Sequence, residues 1–159
     1  MAYEGAYGRI IAAGLETVKK IPHKKGQKGS LSLDEQKAIH AIIEETSYTV
    51  LRAPVLVHGD GYEMERIDIE KPIFLGCQGN VLEGIDRGLL VSELAMLWKA
   101  LYKKGYMAWD FELYLQPDGR VAIVDFDKFK KVTLSKLSEI EDSFFVHPSF
   151  PRGFKEMVL

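Results

Sequence analysis

GYMAWDFELYLQPDGRVAIVDFDKF, residues 105–129, decides how this chain is read. Leu113, Tyr114 and Leu115 make one short apolar run, and Val121–Val124 make another. Between them, Asp118-Gly119 is a tight-turn dipeptide, because glycine takes a positive φ without steric cost. The stretch therefore predicts two antiparallel strands joined by a short turn. Asp110, Glu112 and Asp125 flank that hairpin. Folding brings its ends together, so Glu112 ahead of the first strand is expected near Asp125 behind the second. Oxygen donors gathered at one end of a buried hairpin suit Mg²⁺ or Mn²⁺. The plainer alternative is a surface hairpin whose acids are simply solvated.

Immediately upstream, GLLVSELAMLWKALYKK (residues 88–104) predicts a largely buried helix. Leu90, Leu94, Leu97 and Leu101 form one stripe, and Val91, Ala95, Trp98 and Tyr102 form a second. So wide an apolar arc leaves little of the helix for solvent. Lys103 and Lys104 suit its C-terminal dipole, and Gly105 supplies the stop. Residues 68–87 carry Pro72, Gly76, Gly79 and Gly84 and read as a connector. Residues 50–67 predict a second hairpin, with strands at 55–57 and 62–67 around a turn at 58–61. Residues 33–48 predict a helix capped by Ser32 or Asp34, with Ile39, Ile42 and Ile43 on its apolar side.

The first 21 residues predict two strands, with Gly5 and Gly8 inside the first and Gly14-Leu15-Glu16 as the turn. Glycines within a strand mark a bulge or a close backbone approach. A glycine-bearing hairpin that leads to Lys19 is one way to cradle phosphates. Residues 22–32 form a polar, basic loop. Towards the C-terminus, residues 134–141 predict a short helix. The tail SFFVHPSFPRGFKEMVL carries aromatic surface that either packs back on the domain or meets a partner.

The chain has 159 residues, 47% hydrophobic and 28% charged, which suits one globular domain or two very small lobes. A net charge of −2 gives no electrostatic case for nucleic acid. A single cysteine, Cys77, excludes an internal disulfide and a Cys-based zinc site. No apolar run approaches a membrane span and no signal-peptide core is present, so a cytoplasmic location is expected.

Taken together, the order is a glycine-bearing hairpin, a lysine, a helix with glutamates, a second hairpin, a buried helix and an acidic hairpin. In this order the chain resembles the protein kinase-like superfamily. The resemblance implies an α+β, two-lobed fold. Residues 1–67 would be an N-lobe with a small antiparallel sheet, and residues 68–159 a truncated helical C-lobe. YEGAYGRI resembles the glycine-rich loop G-x-G-x-x-G-x-V. Gly5 and Gly8 fill its second and third glycines, Ile10 takes the valine place, and Tyr3 replaces the first glycine. ETVKKI resembles the strand that carries the nucleotide lysine, which implies Lys19 and a helix glutamate. Ungapped counting gives Glu44, with Glu35 and Glu45 as alternatives. GYEMERI resembles the strand and hinge that read adenine, with Met64 as gatekeeper and contacts from the Glu65 carbonyl and the Ile67 amide. VDFD resembles the metal-binding D-F-G motif, with Asp125 as metal ligand and Asp127 in the glycine place.

The departures lie in the catalytic loop. With VDFD aligned, Glu112 takes the asparagine place as second metal ligand, and Met107 takes the place of the catalytic aspartate. Asp110, three residues on, is then the base or substrate-orienting group. Losing a general base costs roughly 10²- to 10⁴-fold in rate, so a slow enzyme or none is expected. His58-Gly59-Asp60 mimics an H-G-D loop but precedes the buried helix and reads as a turn. The resemblance thus implies an ATP-binding phosphotransferase that uses Mg²⁺ or Mn²⁺. The alternatives are a pseudokinase acting as a nucleotide-binding or protein-interaction module, or an unrelated α+β binding domain. Besides nucleotide, the expected partner is a protein or a second copy of the chain, met through the aromatic tail. No membrane or nucleic-acid partner is expected.

Overall fold

The computed structural model describes residues 2–4, 8–12, 16–22, 31–57, 61–76, 84–108, 110–126, 129–131, 145, 148 and 150–158. Its elements are β1 (Ala2–Glu4), β2 (Gly8–Ala12), β3 (Thr17–Pro22), α1 (Leu33–Glu45), β4 (Leu51–Arg52) and β5 (Tyr62–Glu65). They continue with α2 (Arg87–Lys103), β6 (Tyr106–Ala108), β7 (Glu112–Leu115), β8 (Val121–Val124), β9 (Phe129–Lys131) and α3 (Phe154–Val158). The architecture is α+β, with helices packed beside small sheets. Among the described residues no helix is long and apolar enough to cross a membrane.

The first sheet has the order β1-β2-β3-β5 and is antiparallel throughout. The strand expected to contain both Gly5 and Gly8 is two strands. β1 pairs back on β2, Ala2 with Ile11 and Glu4 with Arg9, and Gly8 opens β2. Glycine weakens a strand interior, and Gly8 stands at the first position of β2. Gly5 itself, the predicted helix at 134–141, Asp127 and the 58–60 turn lie outside the described residues. The expected strand at 55–57 runs alongside β5, where Val57 N–H donates to Glu63 O (2.9 Å) and Glu65 N–H to Val55 O (2.8 Å).

Between β3 and β5, α1 starts on a capping box. Glu35 N–H donates to Ser32 Oγ and Ser32 N–H to Glu35 Oε1, both at 3.2 Å. Its buried side is Gln36, Ile39, His40, Ile42 and Ile43. The helix ends at Glu45, short of the expected limit, and Tyr48 and Val50 turn into the core.

The β7–β8 hairpin forms as the opening stretch predicts. Its register runs from Glu112 opposite Val124 to Leu115 opposite Val121, and Gly119 sits in the turn at φ 82°. β4 has no counterpart in the sequence reading. It pairs parallel with β8, Leu51 with Val121 and Arg52 with Ala122, which gives a second sheet of order β4-β8-β7. On the far side of β7 the connector adds a further ladder, Ile73 N–H to Leu113 O and Leu115 N–H to Lys71 O, both 2.9 Å. β6 and β9 form a separate antiparallel pair.

β4 is held by Glu93, a buried residue of α2. Its carboxylate accepts backbone N–H groups from Thr49 (3.0 Å), Val50 (2.8 Å) and Leu51 (3.2 Å). From the other side, Arg120 Nη2 donates to Tyr48 O and Leu51 O, both at 2.9 Å. The core gathers round Trp98, whose ring lies 4.8 Å from Phe111, 5.9 Å from Phe129, 5.7 Å from Phe150 and 5.6 Å from Phe154. The tail therefore packs back: Phe150, Phe154 and Val158 are core residues. Those aromatics are spent on α2, so they are not the surface that the partner expectation required.

Gly76 makes that return fit. Its N–H donates to Pro148 O (2.8 Å), and a Cβ there would lie 2.6 Å from Phe150 O and 2.9 Å from Pro148 O. Both anchors are open to test. Glu93→Ala leaves buried amide donors unpaired and should cost about 3 kcal/mol, seen as a Tm lower by about 10 °C. Glu93→Gln keeps an acceptor oxygen and should lose less. Gly76→Ala should cost about 1–3 kcal/mol by forcing the tail backbone away, and calorimetric melts would show it.

Candidate functional site

Strand alternation decides which lysine meets the helix. Lys19 and Lys20 are consecutive on β3, so their side chains leave opposite faces of the sheet. Lys20 is buried, and its Nζ donates to Gln36 Oε1 of α1 at 3.0 Å. Gln36 in turn donates through Nε2 to Leu31 O (3.2 Å), which fixes its amide orientation. Lys19 is half-buried on the other face, opposite Glu63 in register and close to Gly61, where a Cβ would come 3.2 Å from Lys19 Cε. The geometry thus pairs Lys20 with Gln36 in place of the expected Lys19 with Glu44. Glu44 and Glu45 are exposed on α1, off the face that Gln36, Ile39, His40 and Ile43 bury. Glu35 turns to Lys131 of β9 (2.9 Å), whose hydrogen bond holds its carboxyl below the usual range.

His40 is fully buried one helical turn after Gln36. Its Nδ1 lies 3.2 Å from Pro54 O, which can only accept, so Nδ1 carries the proton. Nε2 must then accept from the hydroxyl of Tyr62 on β5. The ring also stands edge-on to Phe126 at 4.8 Å. Burial pushes the imidazole down from 6.5 to about 4, the Pro54 hydrogen bond opposing and the nearby Lys20 charge adding to the fall. α1, β3, β5 and the exit of β8 therefore meet at one neutral histidine.

At that exit stands Asp125, half-buried, with φ 75°. It is the one described non-glycine residue with positive φ. Left-handed backbone costs a non-glycine residue about 1–2 kcal/mol, with Asp and Asn the most tolerant. Phe126 follows, buried against His40 and 5.4 Å from Phe129. Glu112 is exposed directly across the ladder from Val124, so the hairpin brings it beside the Asp125 turn. Its carboxylate accepts the Tyr114 hydroxyl at 2.9 Å. Asp110 is half-buried just past β6. Met107, at the counted place of the base, is a core residue within β6. Among the described residues no group of three or more His, Cys, Asp or Glu side chains could hold a metal ion.

The expected adenine contacts fall on and just after β5. Met64 is half-buried, opposite Val18 in register and bridged to Leu56. Glu65 closes β5 with a bidentate pair to Arg52, 2.7 and 2.9 Å, and Arg52 holds its carboxyl below the usual range. Ile67 follows, half-buried. Gly8 is opposite Pro22. Sequence reasoning missed Gln36, His40, Tyr62 and Arg52. The available signal was the i, i+4 step from Gln36 to His40 on a face otherwise made of isoleucines.

Set against protein-family models and against curated proteins, the chain matches none. The neutral His40 carries a pH signature. The unfolded chain takes up its histidine proton near 6.5, whereas the folded state resists until about 4. Stability should therefore be complete above pH 6.5 and decline as the pH falls through that window, by up to about 3 kcal/mol. Urea midpoints from pH 7.5 to 4 should lose this component of their slope in His40→Leu.

Proposed function

We propose that the chain is a nucleotide-binding phosphotransferase of the kinase-like kind, slow and dependent on a divalent cation. The carrying observation is the left-handed Asp125 at the end of a hairpin that also presents Glu112. A carboxylate held at a backbone cost marks a position used for more than packing. The two-lobed architecture belongs to the same proposal. An antiparallel sheet of order β1-β2-β3-β5 with α1 between β3 and β5 supports it.

The donor chemistry fits Mg²⁺ or Mn²⁺. Mg²⁺ keeps several waters and takes one or two carboxylates beside substrate phosphates, so a pair suffices where a closed cage would need more. Asp125 and Glu112 would hold the ion, which when bound neutralises phosphate charge. Lys20 supplies a positive charge on the sheet face toward α1. Gln36 accepts a hydrogen bond from its ammonium and so orients it. Asp110, half-buried beyond β6, would take the proton of an acceptor hydroxyl. Positioning and electrostatics supply most phosphoryl-transfer catalysis, so a non-standard base predicts slowness without removing transfer.

The pseudokinase reading is favoured by two departures: Gln36 in place of a helix glutamate, and Met107 buried where the base is expected. A labelled-ATP transfer and hydrolysis assay with Mg²⁺ or Mn²⁺ separates the two. Wild type should turn over, Asp110→Asn should fall about 10²- to 10⁴-fold, and Asp125→Asn should lose detectable activity. Turnover that survives both substitutions would overturn the site. A nucleotide-dependent thermal shift without turnover would leave a binding module.

A further inference from the structure

Arg52 adds an ionic bridge between parts of the chain that Gln116, bonded to Asp68 at 3.0 and 2.9 Å, and Val55, whose carbonyl accepts Glu65 N–H, also connect. Its guanidinium grips Glu65 with Nη1 and Nη2, at 2.7 and 2.9 Å, and its Nε lies 2.9 Å from Asp118 Oδ2. Glu65 closes β5 in the sheet that carries Lys19 and Lys20. Asp118 stands in the β7–β8 turn, at the opposite end of the hairpin from Asp125. Arg52 is itself fixed on β4 opposite Ala122, and its side chain is only 13% exposed. A planar fork can serve two carboxylates in set directions, which a lysine ammonium cannot.

The hairpin is thus attached to the upper sheet region at both of its ends, with Gln116 bonding Asp68 near the turn. At its open end Phe126 packs on His40 of α1. At its turn end Asp118 reaches Glu65 through Arg52. The Arg52 bridge is the ionic one at the turn end, and it bears on where Asp125 points relative to Lys20.

We infer that Arg52 is a positioning residue of the proposed nucleotide site, acting as an ionic clamp that sets the angle between the β3–β5 strands and the Asp125 hairpin. The inference rests on the phosphotransferase reading for its functional consequence but has a ligand-free signature of its own. Spin labels at Val57→Cys and Lys103→Cys, both exposed positions, in a Cys77→Ser background report the sheet against the body that holds the hairpin. Pulsed dipolar spectroscopy should give one narrow distance with Arg52 present. Arg52→Met should broaden it, and Arg52→Lys should not restore it. Asp118→Ala, in an exposed turn, removes the hairpin arm together with the Arg120 N–H bond to Asp118 Oδ1 and serves should Arg52→Met fail to fold; Asp118→Asn keeps that turn acceptor and removes the charge.

The same variants should weaken a non-hydrolysable ATP analogue with Mn²⁺ about tenfold, the equivalent of one lost charged hydrogen bond, with a cooperative melt retained. An unchanged distance distribution in both variants overturns the clamp, whatever the binding result. Broadening with undiminished nucleotide affinity overturns its positioning role. Broadening in a chain whose wild type binds no nucleotide sinks the phosphotransferase reading and the positioning role with it, and leaves Arg52 a fold element.

Discussion

A buried carboxylate surrounded by backbone amides sets the arrangement of this chain. Glu93 is an acceptor only, and burial makes an unpartnered carboxylate costly. The N–H groups of Thr49, Val50 and Leu51 satisfy it, and in doing so they are drawn against α2. The carbonyls of Tyr48 and Leu51 are then covered by Arg120. With donors and acceptors of this short stretch both satisfied, Leu51 and Arg52 can enter a sheet as a two-residue strand. That placement aims Arg52 between Glu65 and Asp118. The geometry of the candidate site thus traces back to a glutamate that takes no part in its chemistry.

The same accounting applies at Asp125. A left-handed aspartate costs about 1–2 kcal/mol, whereas burying a phenylalanine side chain contributes about 1.5–3 kcal/mol. Phe126, buried against His40 and Phe129, offsets the backbone strain of its neighbour. The carboxylate is left half-buried at a hairpin end, beside an exposed Glu112. His40 can support this ring only while neutral, because its Nδ1–H is committed to Pro54 O and its Nε2 to the Tyr62 hydroxyl.

How legible this was depended on whether a local rule carried the information. The hairpin at 112–124 and the helix at 87–103 could be read because a turn dipeptide and a wide apolar stripe are local signals. β4 could not. Two residues have no periodicity, and their pairing partner lies some seventy positions on, at Val121. The choice between Lys19 and Lys20 turned on a single step along β3, and one step along a strand exchanges its faces. Counting motifs without gaps cannot resolve that step, and it placed the helix partner at Glu44 when the inward-facing polar residue is Gln36. Spacing counted along the chain puts Met107 where the base is expected, and the β6–β9 pairing makes that residue part of the core and leaves Asp110 beyond the strand. The aromatic tail was ambiguous for another reason. Phenylalanines serve a core and an interface equally well, and only Trp98 and Gly76 decide between them.

That tail has a consequence for how the protein comes to be folded. Phe150, Phe154 and Val158 complete the cluster around Trp98, a residue more than fifty positions earlier. While the chain is being made, α2 emerges with one flank of Trp98 uncovered and stays so until the segment through Val158 has left the ribosome. Contacts of such sequence separation close late and slowly, and exposed apolar surface in the interval invites association with other chains. α3 therefore closes this core from a distance in sequence, and removing it would uncover the centre of the core.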